Sequence, residues 1–386
     1  MDFELPPDDD PRREAVRSWL AHHPNPTGRE LAEAGYVAPH WPRPWGLEAD
    51  PLTQIVIDEE LRRAGVARPS NPIGIGWAGP TIIAAGTPEQ KERYLFPILS
   101  GEEIWCQLFS EPSAGSDLAS LTTRAIADAD GFVVSGQKVW TTYAHEASFG
   151  ILLARTDPEA PKHRGITYFI CPMDSPGVTV RKIVDMTGMH SFNEVFLDEV
   201  RLSSEHVVGE VGQGWSLAKV TLANERVSLS SAGAIWGAGP TAYDLVEVVR
   251  KAGGVADPVM RQRVAAAYTR GRILELIRYR TVTAQVLGRA PGPEVSIRKV
   301  MADEHGQELM GLAKDLAGPA GMLLNSVPME PAGSSLAMPD DPQGASVWGY
   351  GYLFSPALTI GGGTAQVQRN IIAEKVLGLP RDPETA

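Results

Sequence analysis

"FSEPSAGSD", residues 109–117, sits where the texture of the chain changes. Upstream, residues 11–104 read as helical. "PLTQIVIDEELRRAG" (51–65) places Leu52, Ile55, Val56 and Leu61 close to helical spacing. "TPEQKERYLFPILSGE" (87–102) opens on Thr87 as N-cap, with Pro88 at the first position and Glu89 soon after. Downstream, to about residue 207, "GFVVSGQKVW" (131–140) reads as a hairpin. "SFGILLART" (148–156), "GITYFICPM" (165–173), "GVTVRKIV" (177–184) and "NEVFLDEVRL" (193–202) are β-branched or alternating runs bounded by Gly, Pro, Asp and Asn. Several such runs with turn signals between them predict a β-barrel or sandwich.

From about residue 212 helices return. "GQGWSLAKVTLANERVSLSSAGAIWGAG" (212–239), the stretch 257–288 after an Asp-Pro start, "SIRKVMADEHGQELMGLAKDLAG" (296–318) and a closing helix from 364 carry the pattern. A Pro/Gly/Ser loop of unusual length, 325–346, interrupts them. The expectation is an α+β multidomain chain: an N-terminal helical domain (1–104), a middle β-barrel domain (105–207) and a C-terminal four-helix bundle (208–386).

Composition narrows the function. With 386 residues and 43% hydrophobic content the chain has ample core, and its net charge of −12 offers no field for nucleic acid or an anionic membrane. Two cysteines, Cys106 and Cys171, exclude a disulfide scaffold and a cysteine zinc cluster. The start, MDFELPPDDDPRRE, lacks the apolar core of a signal peptide, and no run reaches the ~18 apolar residues of a membrane span. The expected setting is the cytoplasm.

The loop at 109–117 offers hydroxyls at Ser110, Ser113 and Ser116, and Gly115 permits close backbone approach. Such a loop can cradle a phosphate or a polar ring edge with neutral donors, though alone it reads equally as a plain Pro/Gly/Ser connection. "GQKVWTTYA" (136–144) sets Trp140 beside two threonine hydroxyls. An indole face with hydroxyl donors suits a flat aromatic cofactor; a core Trp is the blander reading of that stretch. "LTIGGGTAQVQRNIIAEKVLG" (358–378) runs Gly361, Gly362 and Gly363 into a helix beginning near Thr364, a natural seat for an anion or a carbonyl oxygen.

Together these stretches resemble the acyl-CoA dehydrogenase family of flavoproteins over nearly the whole chain. "SEPSAGSD" and "GGGTAQVQRNIIAEKVLG" are similar to its two signatures, "GQKVWTT" to its flavin-contacting segment, and "VGEVGQGW" (208–215) to the entry into its C-terminal bundle. The resemblance implies FAD, an acyl-CoA substrate, and α,β-desaturation with hydride transfer to flavin N5. It implies flavin contacts from Phe109, Ser110, Gly115, Ser116, Trp140, Thr142, Thr364 and Gln366, with Ser116 also toward the substrate. "DLAGPAG" (315–321) matches a segment that meets a neighbouring subunit's FAD. Electron-transfer flavoprotein is the family's usual acceptor, and no metal is implied.

Many members carry the catalytic Glu where this chain has Gly362. Another carboxylate stands out. Around Glu225, at helical spacing, lie Ala218, Thr221, Leu222, Ser228, Leu229, Ala232 and Trp236, a largely apolar stripe. Burial there raises a carboxyl pKa toward the range of a working base. Some branches of the family place the base on this helix directly before an Arg, as in Glu225-Arg226. The resemblance therefore implies Glu225 as base, Arg226 as electrostatic support near the thioester, and the Gly362 N–H as a donor to the thioester carbonyl. Homotetrameric members carry an Arg…Phe-Gly segment where this chain has "VVRKAGGVADPV" (248–259); Arg250 or Lys251 would be the cation, and no Phe-Gly follows. This departure and the long loop at 325–346 count against a homotetramer, and the Gly-for-Glu exchange with Glu225 on the helix resembles the base-bearing subunit of mixed tetramers, several of which, mainly actinobacterial, act on bulky steroid side-chain CoA thioesters. A homo-oligomer, a flavoprotein desaturating a carrier-bound or natural-product acyl group, and a non-catalytic partner subunit are the alternatives.

Overall fold

The computed structural model describes residues 6–229, 239–287, 292–322 and 345–381. They fall into two compact units, one built from residues through Val184 together with His190–Asn224, the other from Asp185–Met189 and the chain from Glu225.

Five helices open the first unit: α1 (Pro11–His22), α2 (Gly28–Glu33), α3 (Pro51–Arg63), α4 (Gly79–Ala85) and α5 (Pro88–Ser100). Their starts follow local chemistry. Asp10 accepts the Arg12 N–H at 2.9 Å, and Asp50 accepts those of Leu52 and Thr53 at 2.8 and 2.9 Å. Proline follows each of these caps, in a position where its missing N–H leaves nothing unsatisfied. At α5 the capping box closes on Gln90, one residue beyond Glu89: Thr87 Oγ1 accepts the Gln90 N–H at 3.2 Å, and Gln90 Oε1 accepts the Thr87 N–H at 3.1 Å.

The strands are β1 (Trp105–Leu108), β2 (Arg124–Ala127), β3 (Gly131–Lys138), β4 (Phe149–Arg155), β5 (Ile166–Pro172), β6 (Val178–Ile183), β7 (Phe192–Ser203) and β8 (Val207–Val208). They form one eight-stranded mixed sheet, β6-β7-β3-β2-β4-β5-β8, with β1 parallel to β4. Buried side chains including Leu108, Val134, Leu152, Phe169, Val195 and Leu197 form its core. Within 131–140 the chain forms the single strand β3 and not the expected hairpin; its hairpin partner is β2 before it. Gly136 makes no turn. It admits Thr123, whose Oγ1 would lie 2.3 Å from any Cβ there, and the β3–β7 register shifts beside it.

Helix α6 (Gly214–Leu229) leaves the sheet with Gly214 against the β5 backbone, where a Cβ would meet Thr167 at 2.6 Å. One buried hydroxyl cluster fixes it: Thr221 Oγ1 lies 3.0 Å from Tyr168 Oη and 2.8 Å from Thr81 Oγ1. Burial pushes the Tyr168 hydroxyl well above its ordinary pKa, so it stays neutral.

The second unit is helical: α7 (Ala242–Lys251), α8 (Pro258–Val286), α9 (Val295–Ala317), α10 (Ala345–Phe354) and α11 (Ala365–Ile371). Between α7 and α8, Gly253 and Gly254 take φ of 84° and 95°, so 252–257 is a loop. The expected helix beyond Leu229 and most of the long loop at 325–346 lie outside the described residues. Leu309, Met310 and Leu312 bury α9 in the core.

Two further buried α9 groups give a pH prediction. Burial, with the Arg270 charge, lowers the His305 pKa from 6.5 to about 4. Its contribution to stability is complete above pH 6.5 and is lost as pH falls toward 4, where the unfolded chain binds the proton first. Burial raises Asp303 to about 6, against the pull of Lys299, whose Nζ lies 2.6 Å away. A raised carboxyl acts oppositely: its contribution is complete below 3.8 and lost as pH rises through about 6. The two offset one another in the same window. Asp303→Asn is therefore expected to steepen the loss of stability between pH 6 and 4, read by urea unfolding across that range, and His305→Gln to flatten it.

Candidate functional site

The loop after β1 is tied to β3 by a buried ion pair. Lys138 is the last residue of β3, on the same inward face as Val134, and is fully buried. Its Nζ donates to Glu111 Oε1 at 2.8 Å, the Leu153 carbonyl at 2.8 Å and the Phe109 carbonyl at 3.1 Å, so all three protons are used. The Glu111 carboxylate also accepts the Thr122 N–H and hydroxyl, each at 2.7 Å, and the Thr123 N–H at 2.9 Å. Burial opposes the Glu111 charge, but Lys138 and these donors outweigh it and hold the carboxyl at about 2. Burial lowers Lys138 to about 8, and Glu111 resists that shift. The pair fixes "FSEPSAGSD" against "GQKVWTT" in one unit.

The predicted residues around this lock divide by exposure. Phe109 is buried, and the Ser110 carbonyl accepts the Val139 N–H at 2.9 Å. Glu111 and Ala114 exchange backbone bonds at 3.0 and 3.1 Å, closing a turn that leaves Gly115 and Ser116 exposed. A Cβ at Gly115 would meet nothing of the chain within 4 Å.

Beyond β3 the pairing with β7 slips again. Lys138 pairs with Val195, and the Thr141 N–H next reaches the Asn193 carbonyl at 3.0 Å. Val139 and Trp140 therefore stand opposite Glu194 alone, a bulge with Trp140 at φ 59°. Trp140 lies beyond the strand, pushed out of the ladder, with 61% of its surface exposed and its ring edge-on to Phe192 at 5.9 Å. Thr142 is half-buried in the same turn. Thr141 Oγ1 is buried without a hydrogen-bond partner. An open indole, an orphan hydroxyl and a backbone kept clear at Gly115 fit a flat aromatic group with a polar edge and a phosphate-bearing tail.

In the second unit Glu225 is buried on α6, and earlier on that helix Ala218 and Thr221 are buried as the stripe requires. Ala232 and Trp236, and the side chains of Arg226, Ser228 and Leu229, lie outside the described residues. In the 361–364 turn Gly362 and Gly363 take φ of 67° and 82°. Thr364 is the N-cap of α11, accepting the Val367 N–H at 3.2 Å. Gln366 is exposed. Gln368 is the buried amide that grips the turn, donating to the carbonyls of Gly362 and Gly363 at 3.1 and 3.3 Å. Glu111, Lys138, Asn193 and Gln368 were not singled out from sequence. Only Lys138 carried a signal, a cation on the core-facing parity of a strand.

Models of the N-terminal, middle and C-terminal domains of acyl-CoA dehydrogenase match residues 10–102, 106–200 and 212–377. Acyl-CoA dehydrogenase FadE34 of Mycobacterium tuberculosis is 41% identical over 91% of this chain and 46% of its own length, so the chain spans about half of that relative. Acyl-CoA dehydrogenase IpdE1 of the same organism is 39% identical over 92% of this chain and 87% of its own length. Among solved structures, the Tcur3481-Tcur3483 steroid ACAD superposes with a TM-score of 0.79 at 29% identity, covering 99% of this chain and 100% of that one. The ChsE4-ChsE5 complex from Mycobacterium tuberculosis gives 0.76 at 29% identity, over 99% and 100% of the two chains.

Proposed function

The chain belongs to the acyl-CoA dehydrogenase family, and from that we propose that it is an FAD-dependent dehydrogenase that introduces the α,β-double bond of an acyl-CoA thioester. The observation that carries the reading is the buried carboxylate of Glu225 in a chain with glycine at 362. In this reading Glu225 removes the α-proton. The Gly362 N–H donates to the thioester carbonyl as enolate charge grows on its oxygen, and Arg226 adds a positive charge nearby. The proposed FAD contacts are Phe109, Ser110, Gly115, Ser116, Trp140, Thr142, Thr364 and Gln366, with Ser116 also proposed to meet the substrate. FAD, when bound, supplies the hydride acceptor.

The proposed substrate is a bulky, steroid side-chain acyl-CoA, supported by the likeness to a structure described as a steroid ACAD. The proposed assembly is a mixed tetramer with a second dehydrogenase subunit. It is supported by the likeness to the ChsE4-ChsE5 complex. Electron-transfer flavoprotein is the proposed acceptor, the cytoplasm the proposed setting, and 1–104, 105–207 and 208–386 the proposed domains. Among the described residues no helix is long and apolar enough to cross a membrane.

Anaerobic titration tests the reading. The protein, purified with any subunit encoded beside it, is expected to be yellow and to bleach with one equivalent of steroid side-chain acyl-CoA per active site, and less with short straight chains. A colourless preparation, or flavin that no acyl-CoA bleaches, refutes it.

A further inference from the structure

The turn after the Trp140 bulge holds two left-handed residues, Trp140 at φ 59° and Tyr143 at φ 62°. Neither is glycine, and such conformations persist only where the surroundings over-determine them. Here the surroundings are one residue of β7 and its neighbours. The Asn193 carbonyl accepts the Thr141 N–H at 3.0 Å, and its side-chain Nδ2 donates to the Thr141 carbonyl at 2.8 Å. Both peptide groups that flank Thr141 are thus bonded to a single, fully buried asparagine. The Ser191 carbonyl accepts the Tyr143 N–H at 3.2 Å, closing the far end of the turn.

The Thr141 carbonyl sets the orientation of the amide, because it can only accept. His145 Nδ1 lies 3.2 Å from Asn193 Oδ1, and the opposite orientation would press oxygen against the Thr141 carbonyl. His145 Nδ1 therefore carries the proton in this pair. The chain His145–Asn193–Thr141 ends at the turn that exposes the Trp140 indole and leaves Thr141 Oγ1 without a partner.

We infer that Asn193 is the positioning residue of the flavin-facing turn: it holds Trp140, Thr141 and Thr142 in the bulged geometry that receives the cofactor, and acts on the cofactor only through them. The inference rests on the reading that this chain binds FAD. An asparagine that merely satisfied its own buried amide would affect stability alone. One that positions the turn affects how the flavin is held.

The test uses the full chain, with its partner subunit where FAD uptake needs one. Asn193→Asp keeps size and replaces the donor to Thr141; Asn193→Ser removes the amide without adding a buried charge. His145→Gln keeps a donor toward Oδ1. Three quantities are read: the dissociation constant of FAD from reconstitution of apoprotein, the visible spectrum of bound flavin, and the Tm of the apoprotein. Both Asn193 variants are expected to bind FAD at least tenfold more weakly with a shifted flavin band, and His145→Gln to change the constant less than threefold. A lower Tm with affinity and spectrum unchanged overturns the proposal, and Asn193→Ser decides alone where the buried carboxylate prevents folding. If the wild type takes up no FAD, the flavin reading fails separately. The crystal structure of apo Asn193→Ser then decides: Trp140 and Tyr143 still left-handed overturns the inference, and a relaxed turn upholds it.

Discussion

Lys138→Met is expected to destabilise the protein by about 3–5 kcal/mol, because removing one partner of a buried ion pair leaves the other charge stranded. Glu111 would keep the Thr122 and Thr123 donors but lose the cation that outweighs its burial. The carbonyls of Phe109 and Leu153 would lose their Lys138 donor at the same time. The double substitution Lys138→Met/Glu111→Gln, with no stranded charge, is expected to recover at least half of the loss. pH sharpens the test. In the wild type Glu111 sits at about 2, so its contribution is complete above 4.5 and is lost as pH falls toward 2. In Lys138→Met the unpaired carboxyl moves upward and takes a proton readily. The gap between variant and wild type should therefore be widest near neutrality and narrow as pH falls to 4. Urea unfolding at several pH values reads this, and a gap independent of pH would contradict the buried-charge account. FAD content should fall with stability, since the same lysine joins the two stretches proposed to contact FAD.

What the sequence reveals here depends on how local the physics is. The starts of α1, α3 and α5 are readable because a cap, a proline and the first turn lie within a few residues. The strands are readable because alternation and turn residues are local too. The stretch 131–140 misleads because a glycine inside a β-run signals a turn as readily as a close approach, and here Thr123 supplies the approach. Trp140 is legible as a cofactor contact only by resemblance. Its bulge is a property of the β3–β7 register, set by residues some fifty positions away. The same distance hides Asn193. Lys138 announces its burial by parity, but its partner Glu111 lies 27 residues earlier, and nothing in either stretch names the other. At the C-terminal turn the glycines stand out in the sequence, whereas Gln368, the side chain that grips them, does not; Gln366 is expected only as a flavin contact. Local rules thus find the segments that matter; pairing across the sheet decides which side chain in each does the holding.

Glu225→Gln is expected to leave FAD content and Tm nearly unchanged and to lower kcat by ~10²–10⁴-fold, the range that general-base catalysis contributes. Gln matches the shape of Glu and stays neutral, so a carboxylate retained only for structure would show its loss in Tm, and a base would show it in kcat. The decisive companion is Gly362→Glu in the same background, which puts a carboxylate where the family resemblance implies one in many members. Gly362 has φ of 67°, a region that costs a side chain about 1–2 kcal/mol. The backbone there is also gripped by Gln368, so the turn cannot relax freely around a new side chain. Partial recovery is therefore expected, to less than a tenth of the wild-type rate. Anaerobic stopped-flow traces of flavin reduction separate the step concerned from acyl-CoA binding: the bleaching rate should fall with Glu225→Gln while the concentration of half-saturation moves little. Undiminished bleaching in that variant would remove Glu225 from the chemistry and make the glycine turn, with its N–H and no base, a site for binding alone.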